Sequence, residues 1–344
     1  MNSYSRSTVV LATALASFGL ASVASAQTVR YYDTNAFSTG QVKQNGLGDA
    51  STWDTTNTFW TTLSGTATTG GATKSNELTA WNNGTNLNDT ATFAGNSGTV
   101  TVAGGGISVG NITFSVSGYT LSGGTLTLGG SSTLSVSTGT ATISAPLAGA
   151  GTSLTKTGSG TLSLTQASNN SYSGATIVNG GTLSINASAV AGSSGLSASN
   201  TGTLNLASTG AYGKALTLNS GGTLGLAGTN GTYSLGSFSS GAGSSTINFG
   251  GLTSTILSFS SLGSLSGVVN VINYVHSATN YIRFAGAVTG GTLSFTINNQ
   301  AAAFNSSGDL ILASAIPEPS SAAALAAAAA LVWAGTRRRR SVRA

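Results

Sequence analysis

Short stretches of alternating hydrophobic and polar residues recur along the chain. Their common form is the tetrad Thr-Leu-x-(Leu/Val/Ile/Phe), which begins at Thr125, Thr133, Thr161, Thr182, Thr203, Thr223 and Thr292. From Thr161 onward, four successive tetrads begin 21, 21 and 20 residues apart. A period of two indicates a β-strand with one buried face, so each tetrad predicts a short strand with Leu inward and Thr, Ser or Asn outward.

Glycine pairs mark the turns before several of these strands, at 123–124, 180–181, 221–222 and 290–291. Glycine supplies 49 of the 344 residues, and together with Ser, Thr and Asn it disfavours helix over most of the chain. A strand after a glycine turn, repeated about every 20 residues, is typical of one coil of a β-solenoid, because each coil buries its Leu row only against a neighbouring coil. The pattern therefore predicts an all-β solenoid.

One stretch, residues 156–188, carries a more specific pattern. It contains K-x-G-x-G-x-L-x-L from Lys156 to Leu164, N-x-Y-x-G-x-T from Asn170 to Thr176, and G-x-L from Gly181 to Leu183. This stretch resembles the autotransporter-associated β-strand repeat. The resemblance implies a right-handed parallel β-helix of the kind found in surface passengers. Autotransporters end in a membrane β-barrel, whereas this sequence ends in the tail described below, so the resemblance predicts shape and not the route of export.

The chain divides into five parts on these patterns. Residues 27–95 are less regular and hold three of the four tryptophans, and we interpret them as an N-terminal cap with the first coils. Residues 96–250 are the regular coils. In residues 251–316, the pattern predicts further strands at Val268–Val275, Tyr281–Phe284 and Leu293–Ile297. We interpret these strands as the last coils of the solenoid or as its C-terminal cap. The remaining parts, 1–26 and 317–344, have the composition of targeting segments.

The N-terminus has the three regions of a secretory signal peptide. Arg6 supplies the positive charge, Thr8–Leu20 the apolar region, and Ala24-Ser25-Ala26 the small-residue cleavage site, which leaves Gln27 as the first mature residue. An uncleaved anchor is the alternative, but the apolar run is shorter than the roughly 20 residues that span a bilayer. The expected partners are the Sec export machinery and signal peptidase.

The C-terminus predicts a membrane helix with a cytoplasmic end. Pro317 and Pro319 stop any preceding helix, and the uncharged, Ala-rich stretch 320–336 favours a new one. Seventeen residues rise about 25 Å, which is close to the lower limit for a span. The positive-inside rule then places the arginine cluster, Arg337, Arg338, Arg339 and Arg340, in the cytoplasm. An Ala-rich helix packed on the domain is the alternative.

This end resembles the PEP-CTERM sorting signal of Gram-negative bacteria. The matching elements are Pro317, Glu318 and Pro319, the apolar segment, and the arginine cluster, in that order. The resemblance implies that an exosortase, a membrane protease, removes the tail and releases the protein toward the surface, often beside exopolysaccharide. We therefore expect a transient inner-membrane anchor, followed by a location on the cell surface or in the extracellular matrix.

Charge and cysteine content exclude several classes of function. The formal net charge is +5, but without residues 1–26 and 317–344 the body has six basic and six acidic side chains. A neutral body does not favour nucleic-acid binding, which needs a basic surface. The sequence has no cysteine, so it holds no disulfide, no thiolate metal site and no cysteine nucleophile.

Catalytic motifs are weak. Residues 106–110 match G-x-S-x-G, but a nucleophile elbow needs a strand-to-helix turn and a histidine base, and Ser and Gly are abundant enough here for a chance match. His276 is the single histidine and lies in an alternating run without metal-ligand neighbours, so we predict an exposed strand position for it. We expect no enzyme activity, cofactor or metal.

The best candidate for a binding site combines acids and aromatic residues near the N-terminus. Its members are Asp33, Asp49, Trp53, Asp54, Trp60, Trp81 and Asp89. A Trp-rich cap with solvated acids is the simpler interpretation. The alternatives are a sugar or cation site, or a carbohydrate-active β-helix enzyme, which would need two carboxylates about 5–10 Å apart. The favoured function is a non-enzymatic structural or adhesive protein of the envelope or matrix.

Overall fold

A computed structural model describes residues 27–33, 50–62, 78–285 and 294–313. These residues wind into a right-handed type of β-solenoid with about nine turns. These residues contain no α-helix, and a short 3₁₀ turn lies at Ser188–Val190. The predicted all-β solenoid is therefore confirmed. The predicted signal helix in 1–26 and sorting helix in 317–344 lie outside the described residues.

Two long parallel sheets and one short sheet form the walls, with strands numbered in chain order. Sheet 1 contains β1 (Val29–Tyr32), β5 (Thr90–Phe93), β8 (Asn111–Phe114), β11 (Ser131–Val136), β14 (Ser153–Thr157), β16 (Thr176–Val178), β18 (Leu196–Ala198), β21 (Leu216–Leu218), β23 (Gly231–Ser240), β25 (Thr255–Leu265) and β27 (Tyr281–Phe284), each hydrogen-bonded to the next. The two-residue strand β20 (Gly210–Ala211) also pairs with β23.

Sheet 2 is formed by the strand that follows the sheet 1 strand in each coil. It contains β2 (Ser51–Trp53), β6 (Thr99–Val102), β9 (Thr120–Gly123), β12 (Thr140–Ile143), β15 (Thr161–Leu164), β17 (Thr182–Ile185), β19 (Thr203–Leu206), β22 (Thr223–Leu226), β24 (Ser244–Asn248), β26 (Val268–Ile272) and β28 (Phe295–Ile297). Sheet 3 is limited to β7 (Ile107–Val109), β10 (Leu126–Leu128) and β13 (Leu147–Ala148).

The tetrads stack in register where their spacing is regular. Leu162 pairs with Leu183, Leu183 with Leu204, and Leu204 with Leu224, and all four side chains are buried. The two earlier tetrads lie elsewhere, since Leu126 belongs to sheet 3 and the tetrad from Thr133 belongs to sheet 1. All three faces require the same alternation, so a tetrad by itself does not identify its face.

Antiparallel strands cover both ends of the stack. At the N-terminal end, β3 (Thr58–Thr61) pairs with β1, and β4 (Thr79–Ala80) pairs with β3. At the other end, β29 (Gln300–Phe304) pairs with β28, and β30 (Leu310–Leu312) pairs with β29. An open edge of a parallel sheet would offer unpaired backbone groups to another chain, and these reversed strands occupy the N-terminal edge of sheet 1 and the C-terminal edge of sheet 2.

The C-terminal strands are shorter than the sequence predicts. The strand expected at Val268–Val275 ends at Ile272, because Asn273 adopts a left-handed conformation with φ of 55° and turns the chain. His276 therefore lies outside any strand, although it is exposed as expected. The strand predicted at Tyr281–Phe284 is confirmed, and the one predicted at Leu293–Ile297 begins at Phe295, with Leu293 outside the described residues.

Candidate functional site

The lysine of the repeat occupies an interior position. In sheet 1, Lys156 pairs with Leu134 on one side and Val178 on the other, and all three side chains are 0% exposed. The alternation of β14 places Leu154 and Lys156 inward together, so the strand pattern itself buries the ammonium group. A buried ammonium needs hydrogen-bond partners because its desolvation is costly.

Backbone carbonyls of two successive coils surround this ammonium. Lys156 Nζ donates to the carbonyl oxygens of Thr157 at 2.6 Å, Gly158 at 3.1 Å and Gly180 at 3.1 Å. Burial lowers the pKa of Lys156 to about 8, which leaves the amine mostly protonated at pH 7. The K-x-G segment is thus a clamp: its lysine joins its own glycine turn to the glycine turn of the next coil.

Because Lys156 is buried, we expect the unfolding free energy of the protein to depend on pH. The pKa in the folded chain, about 8, is below the ordinary value of 10.5, so between these values the unfolded chain binds more protons and folding becomes more favourable as pH rises. From pH 7 to pH 10, the unfolding free energy of the wild type should rise by about 1–3 kcal/mol relative to Lys156→Met. Chemical denaturation across this range measures the difference.

The control for this prediction is Lys214→Met. Lys214 is only half-buried and donates to one carbonyl, that of Ala191 at 2.7 Å. Tyrosine ionisation affects all three proteins equally and cancels in the differences. A gap between wild type and Lys156→Met that stays constant from pH 7 to pH 10 would contradict the prediction.

The second half of the repeat builds a buried polar corner. Asn170 Oδ1 accepts the N–H of Leu147 at 2.7 Å, and its Nδ2 donates to the Ala189 carbonyl at 2.8 Å, so this side chain connects three successive coils. Asn170 thereby provides a hydrogen-bond partner for a backbone N–H of β13, which is an edge strand of sheet 3. Asn170 is 2% exposed, and both ends of its buried carboxamide are hydrogen-bonded. A different side chain at this position would leave buried backbone groups without a partner.

Tyr172 and Thr176 continue this network. The Tyr172 hydroxyl lies 2.7 Å from Thr176 Oγ1, and Thr176 Oγ1 donates to Ser193 Oγ at 2.9 Å. Ser193 in turn donates to the Gly195 carbonyl at 2.9 Å. Burial raises the pKa of Tyr172 to about 12, so its phenol stays neutral and available as a donor. The characteristic polar residues of the repeat therefore face inward and hold corners.

The three N-terminal tryptophans form one aromatic cluster at the end of the solenoid. Trp53, Trp60 and Trp81 are at most 1% exposed, with ring centroids 4.7–5.2 Å apart. Tyr32 and Phe93 pack against Trp60 at 5.2 Å and 5.7 Å. Rings enclosed in this way leave no face in solvent on which a sugar could stack, and the arrangement is that of a cap.

The carboxylates of Asp89 and Asp54 are bonded in separate places rather than in one site. Asp89 is buried and bonded to Arg30 at 2.6 Å, to Asn86 Nδ2 at 2.6 Å and to the N–H of Thr28 at 3.0 Å. Burial alone would raise the pKa of Asp89, but the hydrogen bonds, first that of Arg30, outweigh burial and lower it. This ion pair fastens β1 to the turn before β5.

Asp54 is bonded within its own turn, whereas Asp33 is buried. Burial alone would raise the pKa of Asp54, but its carboxylate accepts the N–H groups of Thr56 at 2.9 Å and Asn57 at 2.6 Å, and the hydrogen bonds together outweigh burial and lower the pKa. Asp33 is 3% exposed, and its N–H donates to the Phe59 carbonyl at 2.7 Å. Across the described ranges, no group of three His, Asp or Glu side chains is arranged to hold a metal ion.

The two weak catalytic signals do not come together in the structure. Ser108 lies in the middle of β7, where its N–H donates to Asn83 Oδ1 at 2.9 Å and its carbonyl accepts from Trp81 Nε1 at 2.8 Å. This parallel strand is not the strand-to-helix turn that a nucleophile elbow requires. His276 is exposed, with Nδ1 3.2 Å from the Tyr274 hydroxyl.

The targeting residues fall mostly outside the described part of the chain. This applies to Ala24, Ala26, Pro317, Glu318, Pro319, Arg337, Arg338, Arg339 and Arg340, and Asp49 of the candidate binding cluster also lies outside it. Gln27 is described, and its Nε2 donates to Thr90 Oγ1 at 3.0 Å. Within the described residues, no helix has the length and apolar character needed to cross a membrane.

Comparison with known proteins identifies the repeat. The family model described as passenger-associated-transport-repeat matches residues 154–185, which confirms the repeat predicted at 156–188. The adhesin BmaC autotransporter of Brucella suis biovar 1 (strain 1330) is 37% identical over 146 residues. That alignment covers 42% of this chain and 4% of the adhesin, so it spans a small part of that protein. No solved structure matches the chain.

Proposed function

We propose that this protein is an exported, non-enzymatic β-solenoid with a structural or adhesive role at the cell surface or in the extracellular matrix. The observation that carries the proposal is the passenger-associated repeat at 154–185, whose polar residues hold the coils together. Similarity to a stretch of an autotransporter adhesin supports the same class of function. The buried aromatic cap and the separately bonded carboxylates of Asp54 and Asp89 support a scaffold in preference to a carbohydrate-active enzyme.

Export and sorting complete the proposal. The signal peptide at 1–26 would direct the chain to the Sec machinery and signal peptidase. The tail at 317–344 would hold the C-terminus transiently in the inner membrane of a Gram-negative cell, until an exosortase-type protease cleaves near Pro319. The expected partners on the surface include exopolysaccharide, and the neutral charge of the body is compatible with such a location.

The decisive experiment combines cell fractionation with the intact mass of the mature protein. We expect surface or matrix material that lacks both residues 1–26 and the tail, and that external protease removes from whole cells. In a variant with Arg337, Arg338, Arg339 and Arg340 replaced by Gln, the tail should stay attached, because its cytoplasmic end is no longer held by positive charge. Surface material that retains the arginine cluster in the wild type would contradict the sorting proposal.

A further inference from the structure

One outer face of the solenoid carries a strictly repeated row of threonines. Strand pairing in sheet 2 places one threonine of each of six consecutive coils beside the next. We call this row the threonine column, and its members are Thr140, Thr161, Thr182, Thr203, Thr223 and Thr246. With about 4.8 Å between neighbouring strands, the column is about 24 Å long.

The hydroxyl groups of this column are not used by the fold. All six side chains point away from the core and are half-buried or exposed, since they alternate with buried residues of the same strands. In the described chain, none of the six hydroxyls makes a hydrogen bond to another protein group, in contrast to the bonded Thr152 and Thr176 of the interior. Each coil therefore presents a donor and an acceptor to the outside.

The surface around the column has no charge and no aromatic ring. The sheet 2 strands from β12 to β24 contain no Asp, Glu, Lys, Arg, Phe, Tyr or Trp. A partner that carried charge would lose hydration here without gaining an opposite charge. The chemistry of the face thus selects an uncharged partner that is rich in hydroxyl groups.

The regularity of the face is one-dimensional. The neighbouring outward row, two residues farther along each strand, is not uniform: it runs from hydroxyl to carboxamide and glycine positions through Thr142, Ser163, Ser184, Asn205, Gly225 and Asn248. A two-dimensional crystal such as ice would need both rows to repeat. A linear polymer lying along the solenoid axis needs only one, and the rise of a sugar in an extended polysaccharide is close to the height of one coil.

We propose that the threonine column binds a linear, neutral polysaccharide in an extended conformation, with about one sugar hydroxyl group contacted per coil. Each contact is weak, and affinity comes from the linked contacts of six coils. The proposal gives a chemical identity to the exopolysaccharide partner, and it rests on the surface location proposed above. Because both partners are neutral, binding should change little between low and high salt.

The test uses the purified full-length chain and three insoluble neutral glycans: cellulose, chitin and xylan. The charged linear polymer alginate, coupled to beads, is the comparison. We expect depletion of the protein from solution by at least one neutral glycan and not by alginate. Replacing Thr161, Thr182 and Thr203 by Val removes three hydroxyls, keeps strand-forming side chains, and should weaken binding at least about tenfold.

Two matched variants control for folding. Changing Thr133, Thr155 and Thr217 to Val makes the same substitution on the outer face of sheet 1, where Ile177 and Ser197 interrupt the column, and binding should be retained. Changing Thr161, Thr182 and Thr203 to Ser keeps the hydroxyls and should also retain binding. Circular dichroism establishes that each variant is folded.

Several outcomes would overturn the proposal. They are no depletion by any of the three neutral glycans, depletion by alginate only, equal loss in both valine variants, or thermal hysteresis in ice without glycan binding. These results concern the purified protein and do not depend on its location in the cell. Failure here therefore leaves the fractionation experiment informative, and failure of sorting leaves this one informative.

Discussion

Replacing Trp60 with Ala should destabilise the N-terminal end of the solenoid by about 3–5 kcal/mol. The indole ring is 1% exposed and contacts Trp53 at 5.0 Å and Trp81 at 4.7 Å, so its removal leaves a cavity that the other large rings cannot fill. The stability of a solenoid is approximately a sum of coil and interface contributions, so the loss should appear first in the coils next to the cap.

Hydrogen exchange measured along the chain tests this result. Amide protection should fall from β1 to β6 and remain nearly unchanged from β19 to β24, with a lower thermal unfolding midpoint. Trp60→Phe should recover part of the loss, because an aromatic ring remains in the cluster. Val275→Ala is the surface control, since Val275 is 76% exposed and its truncation should change little. Uniform loss of protection along the whole chain would argue against a local cap.

The second large effect is expected at Gly158 of the repeat. Gly158 has φ of 74°, and a Cβ there would lie 2.3 Å from the Val136 carbonyl oxygen of the previous coil. An alanine would therefore add a backbone clash to the strain of a left-handed conformation. It would also displace the carbonyl that Lys156 contacts at 3.1 Å. We expect Gly158→Ala to cost about 3 kcal/mol or more.

Gly151 provides a matched control for this prediction. It has nearly the same conformation, with φ of 70°, but nothing lies within 4 Å of the Cβ that an alanine would add. Gly151→Ala should therefore cost only the conformational strain, about 1–2 kcal/mol. Chemical denaturation of both variants measures the difference. If the two variants lost the same stability, close approach between coils would not be the reason for glycine at position 158.

The repeat shows how far sequence reasoning could go in this protein. The motif from Lys156 to Leu183 was recognisable, and the family match at 154–185 confirms it. The inward direction of Lys156 also had a signal, because the lysine follows Leu154 at the strand period of two. No sequence signal indicated that Lys156 would contact the Gly180 carbonyl, because that carbonyl belongs to the next coil, 24 residues away.

The N-terminal cluster shows where sequence reasoning could not decide. Three tryptophans near acids suit either a cap or a binding face, because the composition is the same for both. The distinction depends on whether the rings contact each other, and Trp53, Trp60 and Trp81 come from three different strands or turns. Only the folded chain brings them within 5.2 Å of one another, and only the folded chain joins Asp89 to Arg30.

The sequence by itself determined the period of two within strands, the repeat of about 20 residues between coils, and hence an all-β solenoid. These properties are local, because alternation and glycine turns act within a few residues. The tertiary structure alone decided which face each tetrad occupies, which coils Asn170 and Lys156 connect, and that six threonine hydroxyls align along one wall. Those properties depend on the register between coils, and register is set by contacts between residues about 20 positions apart.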